Sequence, residues 1–151
     1  MSTAITPSTD TVPAARTISL GITGGLVGGA IFGVMMATQG MLPMVASLVG
    51  SQEAHVGLAV HLVISAAAGL VLGAAVAAVP ALARSPLAAA GTGLVYGMAW
   101  WVGGALIAMP LLLGMGQMVL VVEQTQLMSL MGHAIFGIAA ALTVHLLSRR
   151  A

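Results

Sequence analysis

Apolar residues gather in four long blocks along this chain, residues 18–38, 56–79, 87–109 and 127–147, with most polar residues before and between them. A helix rises about 1.5 Å per residue, so roughly 20 residues cross the ~30 Å hydrocarbon layer of a bilayer. Each block is long enough. The pattern predicts an all-α integral membrane protein with four transmembrane helices. Pro80 follows the second block and Pro110 the third; each is expected to end its helix, because proline has no N–H for the helical ladder. The connections 39–55 and 110–126 are long and themselves apolar, yet too short to cross as separate spans. They are expected to form interfacial or re-entrant half-helices, or to extend the helix before them. Residues 1–17 are rich in Ser, Thr and Pro and read as a flexible polar cytoplasmic tail ahead of a transmembrane domain over 18–151. Arg16 before the first block has the outline of a signal peptide. The block is too long for one and no small-x-small cleavage site follows, so a retained first helix is expected.

Composition sharpens this reading. Of 151 residues, 60% are hydrophobic and 5% charged, with a mean hydropathy of +1.13. Soluble domains carry about 25% charged residues. So few charges cannot clothe a water-facing surface of this size, whereas lipid accepts an apolar exterior. Cysteine is absent, which excludes disulfides, thiolate metal sites and a cysteine nucleophile. Lysine is absent as well and there is no basic patch, so nucleic acid is not an expected partner.

The few charges are sorted by loop. Arg16, Arg84, Arg149 and Arg150 all fall on one side of a four-span scheme, and the two long connections carry Glu53 and Glu123 instead. Arginine-bearing loops stay cytoplasmic. Both termini are therefore expected in the cytoplasm, with the long connections outside, in a plasma (inner) membrane.

The two halves resemble each other. Gly25-Leu-Val-Gly-Gly-Ala-Ile-Phe32 aligns with Gly93-Leu-Val-Tyr-Gly-Met-Ala-Trp100, and each is followed by a Met/Pro segment, a Glu (Glu53; Glu123) and a His early in the next helix (His61; His133). Two spans per half keep one orientation, which predicts a 2+2 parallel internal repeat about an axis along the membrane normal. Glycines recur at spacing four: Gly24 and Gly28; Gly25, Gly29 and Gly33; Gly69 and Gly73; Gly93 and Gly97. That spacing puts them on one helical face, where a missing side chain lets a neighbouring backbone approach. Packing within the chain is the plainer reading. Glycine around much of the first helix also suits a central position or contact with other subunits.

Chemistry is sparse. His61 and His133 should lie at matching depth, each with a small residue one turn on (Ser65; Gly137). Two neutral imidazoles facing each other can ligate a haem iron or a copper ion. Neutral histidine can equally serve as a structural hydrogen-bonding residue in a membrane core. Eleven methionines include a group toward the outer side (Met41, Met44, Met109, Met115, Met118, Met128, Met131), and thioethers with imidazole suit Cu(I). Met131, close to His133, is the candidate thioether ligand. His145, near Arg149 and Arg150, reads as an interfacial polar residue, and Glu53 and Glu123 as solvated loop charges. Trp100 and Trp101 lie mid-helix, where tryptophan packs against helices or a cofactor. No Ser/His/Asp set, phosphate-binding loop or zincin motif occurs, so no catalytic motif points to an enzyme.

The segments Tyr96-Gly-Met-Ala-Trp-Trp101, Met109-Pro-Leu-Leu-Leu-Gly-Met115 and Gly132-His-Ala-Ile-Phe-Gly137 resemble small prokaryotic membrane proteins, a resemblance that implies no activity. Three functions stay open. The first is a small accessory or structural subunit of a larger membrane complex, respiratory or redox, with lipid and other membrane subunits or further copies as partners. The second is a haem- or copper-binding membrane protein using His61 and His133. The third is an oligomeric small-solute or ion transporter or channel.

Overall fold

The computed structural model describes residues 13–150, and every regular element among them is helical. Four helices are long and apolar enough to cross a membrane: α1 (Ala14–Thr38), α3 (Ala54–Ala78), α4 (Pro86–Leu112) and α5 (Gln124–Ser148). A short helix, α2 (Leu42–Ala46), lies between α1 and α3. The architecture is compatible with a multi-pass membrane protein. Neighbouring long helices run antiparallel, so the four arginines collect at one end of the bundle and Glu53 and Glu123 at the other.

The order of packing follows the glycines. α1 lies between α3 and α5, and α5 lies between α1 and α4. Two separate columns on α1 make this possible. Gly21 and Gly25 lie against Gly69, Gly73 and Ser65 of α3, while Gly24 and Gly28 lie against the Ala140 and Phe136 backbone of α5. A Cβ on Gly25 would fall on the Ser65 carbonyl and 2.7 Å from the Gly69 Cα. Gly29 and Gly33 continue the first column onto Ser65, Leu58 and His61. α4 meets α5 in the same manner: Gly93 lies on Gly137 and Ile138, and Gly97 on His133 and Ala134. Residues aligned between the halves thus make matching contacts, Gly25 with Ser65 and Gly93 with Gly137.

The fourth seam differs. α3 and α4 have no extensive packing and are joined by a hydrogen bond from the Tyr96 hydroxyl to the Ala68 carbonyl. Tyr96 aligns with Gly28. Where glycine lets α1 and α5 touch, tyrosine holds α3 and α4 apart.

Several boundaries depart from the sequence pattern. The polar tail was expected to reach residue 17, but α1 already begins at Ala14 behind Pro13; residues 1–12 lie outside the described residues. Pro80 does stop α3, which ends at Ala78. Pro110 does not stop α4. The helix widens into a π-helix over Trp101–Ala108 and resumes as α-helix at Met109–Leu112, with Pro110 in that segment's first turn. Proline removes one bond of the ladder there, a loss taken up by the wider π-turn before it and by a partner from outside the helix. The Leu106 carbonyl, four residues before Pro110, accepts from the Leu120 N–H at 3.0 Å instead. This bond folds the 113–123 connection back onto α4 and holds Leu120 at φ 60, a left-handed conformation that costs a non-glycine residue about 1 kcal/mol or more. Glu123 is not merely solvated: with Gln126 it forms a capping box at the start of α5. Its negative charge also suits the positive end of the helix dipole.

The glycine columns carry a direct test. Gly25→Leu should abolish or strongly destabilise the folded monomer in detergent, because its side chain meets backbone on α3. Gly91→Ala, at a site with nothing within 4 Å, should be neutral or stabilising by up to about 1 kcal/mol. Thermal unfolding followed by circular dichroism separates the two.

Candidate functional site

Splaying α3 from α4 leaves a cavity of about 330 Å³ in the glutamate-side half of the bundle. Its walls come from every long helix. Phe32 and Met36 arrive from α1, Ser65 from α3, Trp100 and Met109 from α4, and Phe136 from α5. α2 roofs it: Leu42 and Val45 are buried in the same core cluster as Phe32, Met36, Ala68 and Phe136. Gly57 permits this closure, since a Cβ there would strike the Leu42 carbonyl. The π-helical segment contributes Gly104, Ala105 and Ala108, small residues that leave the space unfilled. Such wide turns recur at functional sites. Ile64 and Leu112 line the cavity and are exposed on α3 and α4, and Met44, Met115 and Thr125 line it and are exposed toward the glutamate end, so the cavity opens between α3 and α4 and toward that end.

His61 and His133 both line this cavity, and α1 comes between the helices that carry them. The Phe32 ring packs edge-on against each imidazole, with centroids 5.2 Å from His61 and 4.9 Å from His133. Gly132 makes room for it, because a Cβ at that position would lie inside the Phe32 ring. His61 Nε2 lies 3.0 Å from the Gly29 carbonyl, and His133 Nδ1 lies 2.8 Å from the Ser129 carbonyl. A carbonyl only accepts, so these nitrogens carry the hydrogens. Each neutral ring then keeps a lone pair, on His61 Nδ1 and His133 Nε2. Neither has a protein partner among the described residues, and neither atom is fully buried.

The other candidates fall unevenly. Met41, Met44, Met109, Met115 and Met118 line the cavity, joined by Met36. Met131 is exposed and not among the lining residues, and Met128 borders a separate shallow hollow with Gln39 and Gln124. Among the described residues no three His, Asp or Glu side chains converge. The packing glycines Gly25, Gly29, Gly33, Gly69, Gly73, Gly93 and Gly97 all lie at helix contacts. Trp100 faces the cavity and stacks edge-on against Tyr96 at 6.2 Å, whereas the Trp101 indole N–H donates to the Gln126 carbonyl at 2.9 Å. Trp101 is thus a tie from α4 to the start of α5.

Sequence reasoning misread His145 and missed Thr92 and Tyr96. His145 is buried rather than interfacial, with its Nδ1 2.6 Å from the Ala83 carbonyl. Thr92 donates to the neighbouring Leu82 carbonyl at 2.8 Å, and together they fasten the Pro80–Ala83 turn at the arginine end. Nothing in residue spacing announced either bond. Tyr96 was the second omission, although the Gly28/Tyr96 mismatch between the aligned halves pointed to it.

Comparison with family models, curated proteins and solved structures finds no match to this chain. Function has to be argued from the site.

The Tyr96 bond is the only side-chain tie described between α3 and α4. Tyr96→Phe should lower stability modestly, by about 0.6 to 2 kcal/mol, and increase hydrogen exchange along α4 more than along α1. Equal exchange changes in both helices would show that Tyr96 does not hold this seam.

Proposed function

We propose that this chain is a multi-pass plasma-membrane protein that binds a small, largely apolar molecule in the cavity between α3 and α4. Four apolar spans support membrane insertion. The arginines at one end support cytoplasmic termini by the positive-inside rule, which places the cavity in the outer half of the bilayer. Matching contacts in the α1/α3 and α4/α5 hairpins favour a 2+2 repeat, with its fourth seam opened by Tyr96.

The observation that carries the reading is a chamber of about 330 Å³ with no charged side chain in its lining and two imidazoles beside Phe32. That size is at the lower end of small-molecule sites, which are mostly apolar with a few placed polar groups. The lining holds Ser129 Oγ and His133 Nδ1 3.2 Å apart but, among the described residues, no carboxylate lines it to complete a hydrolytic set, so binding, not turnover, is the proposed role. A haem held between His61 and His133 is disfavoured, because Phe32 on the intervening helix packs against both rings. Cu(I) on thioethers and imidazole is better matched to the lining and stands as the rival occupant. No observation specifically favours a conducting path.

A second reading, an accessory subunit of a larger assembly, is favoured by α4. That helix buries the least of itself, and it exposes Leu87, Val95 and Val102 beside the open Gly91 and Gly103. Purification in mild detergent from the native membrane tests it: a partner recovered in fixed ratio supports it.

The binding role has its own test. Purified protein should take up an environment-sensitive apolar fluorophore with one-to-one stoichiometry. Ala105→Trp, which fills the chamber from the π-helical wall, should weaken uptake at least tenfold while unfolding temperature stays within a few degrees. Unchanged uptake in a folded Ala105→Trp protein would sink the proposal.

A further inference from the structure

The polar lining of the cavity is small: the imidazoles of His61 and His133, the hydroxyls of Ser65, Thr125 and Ser129, and the Gln126 amide. His61 and His133 have each committed one N–H to a backbone carbonyl, Gly29 in one case and Ser129 in the other. Each therefore keeps one bare acceptor nitrogen on a side chain that lines the chamber. No Lys, Arg, Asp or Glu lines the space, so a charged ligand would lose its hydration without gaining a counter-charge. An acceptor-only ligand could take hydrogens from Ser65, Thr125 or Gln126 but would leave both imidazole lone pairs unmet. A ligand with O–H or N–H donors would satisfy them. Much of the remaining wall is flat or soft: Phe32, Trp100, Phe136 and the thioethers of Met36 and Met109. Aromatic faces and thioethers suit a ring. The exposed rim residues Ile64 and Leu112 lie between two helices that do not close on each other, which leaves a side exit for an apolar tail into lipid.

We infer that the cavity takes a membrane-dissolved hydroquinone or similar alkyl-substituted phenol, entering sideways between α3 and α4, with its hydroxyl groups donating to His61 Nδ1 and His133 Nε2. The inference rests on the proposed binding role and names the ligand class for that same chamber. Recognition is by donor count: the hydroxyl-bearing molecule is held, and the same skeleton without donors is not. Binding alone is assigned; no electron or proton leaves the ligand.

The test compares an alkylated hydroquinone with its dimethyl ether, two molecules of the same body that differ in having two donors or none. Each is titrated into the full chain carrying Trp101→Phe in nanodiscs, with quenching of the remaining Trp100 fluorescence as the readout. The hydroquinone should bind at least about fivefold more tightly, the factor expected from even one net hydrogen bond of ~1 kcal/mol. His61→Phe or His133→Phe should shrink that ratio, and Ala105→Trp should weaken both ligands together. The ratio in this parent chain decides the question even where a histidine variant fails to fold. Equal affinities for the hydroquinone and the ether would overturn the ligand class but leave the cavity standing as a site. Tight one-to-one uptake of Cu(I) alongside equal affinities would assign the imidazoles to a metal and overturn it as well. No binding of either molecule, with fluorophore uptake also insensitive to Ala105→Trp, would remove the cavity reading itself.

Discussion

Backbone touching backbone along α1 is the constraint on which the rest of the structure depends. In lipid, burying an apolar side chain gains little, because hydrocarbon surrounds it either way; helices associate through close van der Waals contact and hydrogen bonds. α1 meets that requirement twice. Gly21 and Gly25 admit α3, and Gly24 and Gly28 admit α5. Positions one residue apart are about 100° apart around a helix, so these columns face different neighbours. That difference is why α1 can hold the centre of the bundle. Once both seams are shut, Phe32 has only one place to go: into the space left by Gly132, against His61 and His133.

The cavity follows from breaking this rule once. Aligned positions of the two halves use glycine against α3 and against α5, except that Tyr96 stands in α4 where Gly28 stands in α1. A phenol ring cannot let two backbones touch, and its hydroxyl reaches across to the Ala68 carbonyl instead. Trp100 replaces Phe32 one turn further on and lines the resulting space. The π-helical turn adds to the effect by presenting Gly104, Ala105 and Ala108 where larger side chains would close the chamber. Three local choices on one helix therefore separate a closed bundle from one with an opening to lipid.

Much of this was legible in the residues. Span positions came from apolar length, and the split of arginine from glutamate agrees with the two ends of the bundle. Spacing-four glycines marked the contact faces. What spacing could not show was which helix each column would face, because Gly24 and Gly25 differ by one residue and the partner depends on the whole arrangement. Pro110 misled for a related reason: proline forbids a hydrogen bond, not a helix. A π-turn before it and the Leu120 N–H on the Leu106 carbonyl absorb the loss, and both are tertiary facts. His145 was read from its neighbours Arg149 and Arg150, yet its ring turns inward to a carbonyl 62 residues away. The site was half visible: the paired histidines and the methionines were evident, but Phe32 between the imidazoles was not, since no pattern in the α1 sequence aims that ring.

Three histidines of the bundle, His61, His133 and His145, each bond a backbone carbonyl. In a medium without water an imidazole N–H needs a fixed acceptor, and helix carbonyls near small residues are the ones a neighbour can reach. The consequence differs by depth in the bundle. At His145 the second nitrogen is buried with no partner, so that bond serves the turn alone. At His61 and His133, whose side chains line the chamber, the same arrangement leaves the lone pair on the other nitrogen. A carbonyl on one side of each ring thereby sets the chemistry offered on the other. The main chain thus sets which nitrogen of each ring carries the hydrogen; for His61, whose carbonyl partner Gly29 lies on α1, a shift of α1 against α3 would undo it, whereas His133 bonds within its own helix.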